Sequence, residues 1–279
     1  MINLQKLIKK PKVFKRLTGL SPDKFKQLVA ELEPRFQKAD FKRKDYSGRK
    51  RRVGGGNQFK LSVSQALFML LLYYRTYVFH VFLGPLFGID ESNVCRYFKR
   101  IEPLLAGIFK IPERKIKMSE QEILDLIFDA TEQETEKRPG SSWSGKAGKN
   151  TIKTQIIVNS KGRIKSISKS IKGSVHDKKL YDKARVFTSI KVKRKADLGY
   201  VGTSCQIPIK KQPHQELTEK QKQFNEQFSQ ERIIIEHAIC HLKKFKILSY
   251  KFRNRLNNYN LIFKNIAGLR NWQTEPVLA

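Results

Sequence analysis

The stretch Ile123-Leu124-Asp125-Leu126-Ile127-Phe128-Asp129-Ala130-Thr131-Glu132 decides how this chain is read. A largely apolar run stops on a carboxylate, which predicts a strand that delivers Asp129 at its end. Downstream, Thr151 to Val158 is β-branched and predicts a second strand. The turn Asn159-Ser160-Lys161-Gly162 and a return strand over Arg163 to Ile171 follow. Asp177 to Val186 reads as a helix. Ile190 to Ala196 reads as a strand, unusually basic, that runs into Asp197-Leu198-Gly199-Tyr200-Val201-Gly202. Leu217 to Phe245 reads as a long helix carrying Glu236. Strands followed by helices predict a layered fold of the α/β class.

Working outward, the chain is strongly basic. Lys and Arg number 57 against 25 Asp and Glu, a formal net charge of +32 over 279 residues. Such an excess favours a polyanion, through phosphate contacts and counterion release. A ribosome-associated or simply basic soluble protein would share it. Carboxylates kept at Asp129, Asp197 and Glu236 in such a chain suggest an enzyme that grips nucleic acid beside a divalent metal. The cysteines, Cys95, Cys205 and Cys240, are scattered and odd in number, which argues against a disulfide framework. The N-terminus lacks the apolar core of a signal peptide, and Ala66 to Tyr74 is too short to span a bilayer. These features predict a cytoplasmic protein with no membrane partner.

The N-terminal part divides by pattern. Residues 1–41 form a helical segment, with Ser21-Pro22 opening a helix that Pro34 should end. Residues 42–60, with Lys42-Arg43-Lys44, Arg49-Lys50-Arg51-Arg52 and Gly54-Gly55-Gly56, read as a basic linker, either a DNA-backbone arm or a solvated loop. Residues 61–105 carry three helical patterns, Leu61–Tyr74, Val78–Phe87 and Val94–Ile101, the last stopped by Pro103. The turn Gly88-Ile89-Asp90-Glu91-Ser92 suits a helix-turn-helix whose second helix enters the major groove. Ser92, Asn93, Arg96, Tyr97, Lys99 and Arg100 would then face DNA while Val94, Phe98 and Ile101 pack inward. An ordinary helical bundle with a solvated face fits the same periodicity. Residues 106–122 read as a connector and 123–279 as the catalytic domain.

Phosphodiester cleavage by two metals needs oxygen ligands converging from separate elements, with the ions roughly 3.5–4 Å apart. Asp129, Asp197 and Glu236 have the right chemistry. Spacing alone does not show that they converge, and exposed carboxylates are common. Arg232, Glu236 and Lys243 share one helical face, which suits a phosphate-holding site and equally a surface Arg232–Glu236 pair. Asp177, after His176, is open to two readings, a helix cap or a secondary active-site contact. His237, Cys240 and His241 begin a zinc pattern that no second ligand pair completes. No phosphate-cradling Gly-rich loop and no Ser-His-Asp pattern is present.

Taken in order, Asp129-Ala130-Thr131-Glu132, Ser144-Gly145-Lys146, Thr151-Ile152-Lys153-Thr154-Gln155, Gly173-Ser174-Val175-His176-Asp177, Asp197-Leu198-Gly199-Tyr200-Val201-Gly202, Ile207-Pro208, and Arg232 with Glu236 and Lys243 resemble a known family. It is that of insertion-sequence transposases of the DDE superfamily, the insertion-sequence-five-like group related to Harbinger-type enzymes. The resemblance runs from about residue 60 to residue 270. It implies a ribonuclease H-like mixed-sheet catalytic domain behind the helix-turn-helix. It implies Asp129, Asp197 and Glu236 as metal ligands for two Mg²⁺ ions, which Mn²⁺ would replace. Lys153, His176 and Lys243 match basic family positions, which implies that they contact phosphate, Lys153 and Lys243 on the DNA. The implied activity is DNA cleavage at element ends and strand transfer into target DNA, by a homodimer or larger assembly on duplex DNA. The alternative is a transposase-derived DNA-binding protein that no longer cleaves. Two positions depart from the family: the basic stretch Lys191 to Lys195, and Asn150 where a His is frequent.

Overall fold

The computed structural model describes residues 2–50, 52–53, 58–116, 125–188 and 192–275. These fall into two compact units. The first holds residues up to Lys110, together with Phe245–Ile247 and the chain from Gly268 on. The second holds Ile111–Lys244 and Leu248–Ala267. The catalytic part was expected to run from 123 to the C-terminus, and the structure instead returns the last stretch to the helical unit.

The first unit is helical: α1 (Leu4–Ile8), α2 (Pro11–Thr18), α3 (Pro22–Lys44), α4 (Val63–Thr76), α5 (His80–Phe87) and α6 (Glu91–Phe109). Ser21 opens α3 as expected, its hydroxyl accepting the Lys24 N–H at 3.4 Å. Pro34 does not end that helix, which runs on to Lys44. The proline forfeits one backbone hydrogen bond, while Leu28, Leu32 and Phe36 are buried on either side of it and hold the helix to the core. The basic run Lys42-Arg43-Lys44 is therefore helical rather than linker. Arg51 and Gly54–Gly56 lie outside the described residues. Ser62 and Gln65 close a capping box on α4. α5 stops at Gly88, whose φ of 65° is the left-handed conformation that glycine adopts without strain. α6 passes through Pro103, a second proline expected to be a stop, because Ile101 and Leu105 are fully buried around it.

The second unit is a mixed sheet with helices. Its strands are β1 (Lys115–Ile116), β2 (Asp125–Glu134), β3 (Ser142–Ser144), β4 (Lys149–Asn159), β5 (Ile164–Ile167), β6 (Ile171–Lys172), β7 (Phe187–Thr188) and β8 (Lys193–Lys195). Its helices are α7 (Asp177–Ala184) and α8 (Glu219–Lys243), and α9 (Tyr259–Thr274) begins there. β4 is the hub. It pairs antiparallel with β2 over its length and with β3, β5 and β6. β8 joins the far side of β2 in parallel, with Ile127 opposite Lys195. β1 and β7 form a separate parallel pair.

Strand periodicity sorts β2 into two faces. Leu126 and Phe128 join Ile157, Ala184, Val186, Ala196 and Tyr200 in one apolar cluster. Asp125, Ile127, Asp129, Thr131 and Gln133 share the opposite face. The strand continues five residues past Asp129, so this carboxylate sits mid-strand rather than at its end. The polar half of β2 is held by unbroken pairing with β4 out to Glu134 opposite Thr151. Residues 117–124 and 189–191, which include the expected starts of two strands, lie outside the described residues. No described helix is long and apolar enough to cross a membrane.

Candidate active site and DNA-reading helix

Asp129 and Asp197 are brought side by side by strand register. Ile127 lies opposite Lys195 in the parallel β2–β8 pair. Two residues further along each chain, on the same face, stand Asp129 and Asp197. Asp197 caps the 3-10 turn Leu198–Tyr200, its Oδ1 accepting the Gly199 N–H at 3.0 Å. Asp129 Oδ1 accepts the Ala130 N–H at 2.7 Å. Burial, reinforced by the charges of Asp197 and Asp177, pushes the Asp129 carboxyl up to about 6, against the pull of the Ala130 N–H and of Arg232. Gly199 has to be glycine for another reason. A Cβ there would meet Asp177 Oδ2 at 2.7 Å and Asp197 Oδ1 at 3.0 Å.

Glu236 is exposed on α8 and lines the same open cleft as Asp129, with Glu132, Lys146, Lys153, Asp177, Cys240 and Lys243. Asp197 is not among the cleft-lining residues. Among the described residues, no group of three His, Cys, Asp or Glu side chains is disposed to hold a metal ion. The donor chemistry nevertheless fits a hard divalent cation. Asp129, Asp197 and Glu236 offer only carboxylate oxygens, and the charge that Asp197 and Asp177 press on Asp129 is one that a cation relieves.

The surrounding cations hold different places from those expected. Lys153 is buried, and its ammonium pairs with Asp177 at 2.9 Å and Glu132 at 3.2 Å and donates to the Val175 carbonyl at 3.0 Å. Burial opposes its charge, but Asp177 and Glu132 outweigh it and raise its pKa. A side chain so engaged serves as an internal strut, and it also lines the cleft. Asp177 is the first residue of α7 rather than its cap, and it reaches into the site. His176 supplies the backbone cap of α7, is exposed, and does not line the cleft. Arg232 acts on Asp129 electrostatically, and its buried Nε has no hydrogen-bond partner. Lys243 stands exposed on the cleft wall. Lys146, in the β3–β4 turn, joins it there. It lies in a quoted motif, Ser144-Gly145-Lys146, but its role was not legible without knowing that the turn folds over Asp129.

The basic strand β8 also finds its explanation. Lys195 is buried and pairs with Asp125 at 2.8 Å and Glu231 at 2.7 Å. Arg194 donates to the Tyr181 hydroxyl at 2.7 Å and to the Val186 carbonyl at 3.3 Å.

In the first unit α5 and α6 form the helix-turn-helix. On α6, Ser92, Arg96 and Lys99 are exposed, and Asn93 and Arg100 are half-buried. Arg96 donates to Asn93 Oδ1 at 2.9 Å, and the Arg100 guanidinium lies 4.7 Å from the Phe59 ring centre. Tyr97, expected on the outer face, is buried, and its hydroxyl accepts the Leu61 N–H at 2.9 Å. The apolar ring decides its side of the helix, and the backbone N–H satisfies the hydroxyl.

Comparison with known proteins agrees with this architecture. The family model described as DDE superfamily endonuclease matches residues 128–271. The model for the helix-turn-helix of DDE superfamily endonuclease matches residues 59–111. A probable transposase for insertion sequence element IS702 from Microchaete diplosiphon is 34% identical over 273 residues, covering 93% of this chain and 94% of the relative. A putative transposase for insertion sequence element IS112 from Streptomyces albus G is 25% identical over 234 residues, covering 83% of each. No solved structure matches. The chain belongs to the DDE-superfamily insertion-sequence transposases that carry an N-terminal helix-turn-helix.

Proposed function

We propose that this protein binds the terminal inverted repeats of a mobile element, cleaves DNA strands there and joins them to target DNA. Asp129, Asp197 and Glu236 are the metal-binding carboxylates in this reading, with Mg²⁺ the resident ion and Mn²⁺ its substitute. The observation that carries it is the β2–β8 register that leads both segments toward Asp129 and Asp197, whose charge bears on Asp129, with Glu236 on the wall of the cleft that Asp129 floors. The strand order β5-β4-β2-β8, antiparallel through β2 and then parallel, supports a ribonuclease H-like fold for the second unit.

A bound pair of divalent ions would activate water, then a 3′-hydroxyl, and stabilise the charge of the transferring phosphate. The chain's own residues do the rest. Asp129 must give up its proton to serve, and its carboxyl does so near neutrality. Lys146 and Lys243 neutralise phosphate oxygens at the cleft wall. Arg232 adds a positive field that reaches Asp129. Lys153 fixes Asp177 against the sheet, so that α7 cannot carry it away from Asp129. On α6, Ser92, Asn93, Arg96, Lys99 and Arg100 contact the duplex, and a homodimer or larger assembly brings two ends together.

The test is nicking of supercoiled plasmid carrying the element ends, with Mg²⁺ or Mn²⁺, beside Asp129→Ala. Metal-dependent nicking lost in the variant with end binding retained is the expected result. Tight end binding with no nicking by the wild type would favour a DNA-binding derivative that does not cleave.

A further inference from the structure

We propose that Lys195 is a positioning residue that sets the mutual placement of the three carboxylates by tying together the three elements that carry them. The inference rests on the proposed roles of Asp129, Asp197 and Glu236. Lys195 lies in β8, two residues before Asp197. Its ammonium pairs with Asp125 at 2.8 Å and with Glu231 at 2.7 Å. Asp125 lies in β2, four residues before Asp129 and on the same strand face. Glu231 lies in α8, five residues before Glu236. One buried cation is thus bonded into β8, β2 and α8 at once, the three elements that lead to the carboxylates.

The arrangement constrains the degree of freedom that matters most. The strands are already locked to each other by register, with Ile127 opposite Lys195. Against the sheet the helix has no such register lock among the described residues; its Asn225 exchanges hydrogen bonds at 2.8 and 3.0 Å with the Ile209 backbone, but on a loop and about three turns before Glu236. α8 lies on the sheet through apolar contacts at Ile235, Ala238 and Leu242, all buried. Apolar contacts are non-directional and resist a roll about the helix axis weakly. A roll of about 20° carries a side-chain tip at a radius of about 5 Å through roughly 2 Å. Such a displacement at Glu236 exceeds the roughly 1 Å misplacement that costs about 100-fold in rate. The Lys195–Glu231 pair, just over one turn before Glu236, opposes that roll. An aliphatic residue in β8 would bury as well but would not hold the helix azimuth. This accounts for a lysine at a strand position whose burial favours an apolar side chain.

The test uses the full-length protein and two variants. Asp125→Asn/Lys195→Met/Glu231→Gln removes the three charges together, so no buried charge is left unpaired. Glu231→Ala alone releases only the helix, at a side chain that is 38% exposed and therefore tolerant of change. Three properties are read: Mn²⁺ binding to the protein without DNA, by the loss of the free-ion paramagnetic resonance signal; end affinity by anisotropy; and single-turnover nicking. The expected result is Mn²⁺ half-saturation raised about 10-fold and nicking slowed about 10- to 100-fold, at wild-type end affinity and wild-type melting temperature. A merely structural pair would lower the melting temperature and leave Mn²⁺ half-saturation in the folded protein unchanged. Wild-type Mn²⁺ binding and nicking in Glu231→Ala overturns the proposal, even if the triple variant fails to fold. Asp129→Ala runs in parallel. If it nicks like wild type, the assigned carboxylates fall, and the positioning role falls with them. If it is inactive while Glu231→Ala is normal, only the positioning role falls.

Discussion

Replacing Asp129 by Asn removes a charge that the fold holds at a cost. The wild-type carboxyl is pushed up to about 6 from an ordinary 3.8, chiefly by burial and then by Asp197 and Asp177. The sign follows from linkage. The unfolded chain releases this proton near 3.8 and the folded chain only near 6, so the native state is relatively favoured below the lower value. That advantage is lost as pH rises through the folded value. A gap of about two pKa units corresponds to roughly 3 kcal/mol at pH 8. Asn is itself a polar group in a half-buried place and loses the attraction of Arg232. The expected net gain for Asp129→Asn in metal-free buffer at pH 8 is therefore about 1–3 kcal/mol. The Ala130 N–H keeps an acceptor in the amide oxygen, so local backbone geometry is retained.

The assay is denaturant unfolding of wild type and variant in EDTA at pH 8 and again at pH 4. The variant should be the more stable at pH 8, and the difference should shrink toward zero at pH 4. Adding Mg²⁺ should stabilise wild type and leave the variant unmoved, because a cation binding only the native state adds to its stability by mass action. Nicking in Mg²⁺ should be abolished in the variant. A variant less stable than wild type at pH 8, or one whose advantage persists undiminished at pH 4, refutes the reasoning.

Two further outcomes are specific. Gly199→Ala places a methyl group 2.7 Å from Asp177 Oδ2 and 3.0 Å from Asp197 Oδ1, so both carboxylates must shift; nicking should fall at least about 10-fold, with a stability loss of about 1–3 kcal/mol and unchanged end binding by anisotropy. Arg96→Ala removes an exposed guanidinium from the outer face of α6. Affinity for element ends should fall, and the salt slope of binding should drop by about one for a lost phosphate contact. An unchanged preference for ends over random duplex would take α6 out of recognition.

Local signals carried far in this chain, and they failed where tertiary contacts outweighed them. Ser21, the Ser62–Gln65 box, Gly88 and the Asn159–Gly162 turn each mark an element boundary by a mechanism that acts within a few residues. Pro34 and Pro103 use an equally local mechanism but lose, because one missing hydrogen bond is outweighed by the buried apolar residues on both sides. Asp129 was legible as a strand residue but not as a mid-strand one, since the polar stretch beyond it is held by pairing with β4. Lys153, read as a phosphate contact, faces inward because Glu132 and Asp177 arrive from two other elements. Nothing in the spacing of those three announces the meeting. Lys195 was read as an oddity for the same reason.

The two buried lysines together explain how so basic a chain keeps carboxylates without an ion-pair partner at the proposed metal site. Lys153 neutralises Glu132 and Asp177, and Lys195 neutralises Asp125 and Glu231. Four carboxylates around the site are thereby satisfied internally. Asp129 and Asp197 have no ion-pair partner among the described residues, and their mutual repulsion remains. Had either lysine been placed next to Asp129, its carboxyl would be ordinary and its demand for a metal lower. Had either been absent, the extra negative charge would spread that demand over several groups. The arrangement confines it to Asp129 on β2 and Asp197 just beyond β8. The +32 charge of the chain then acts elsewhere, on the phosphates of the duplex.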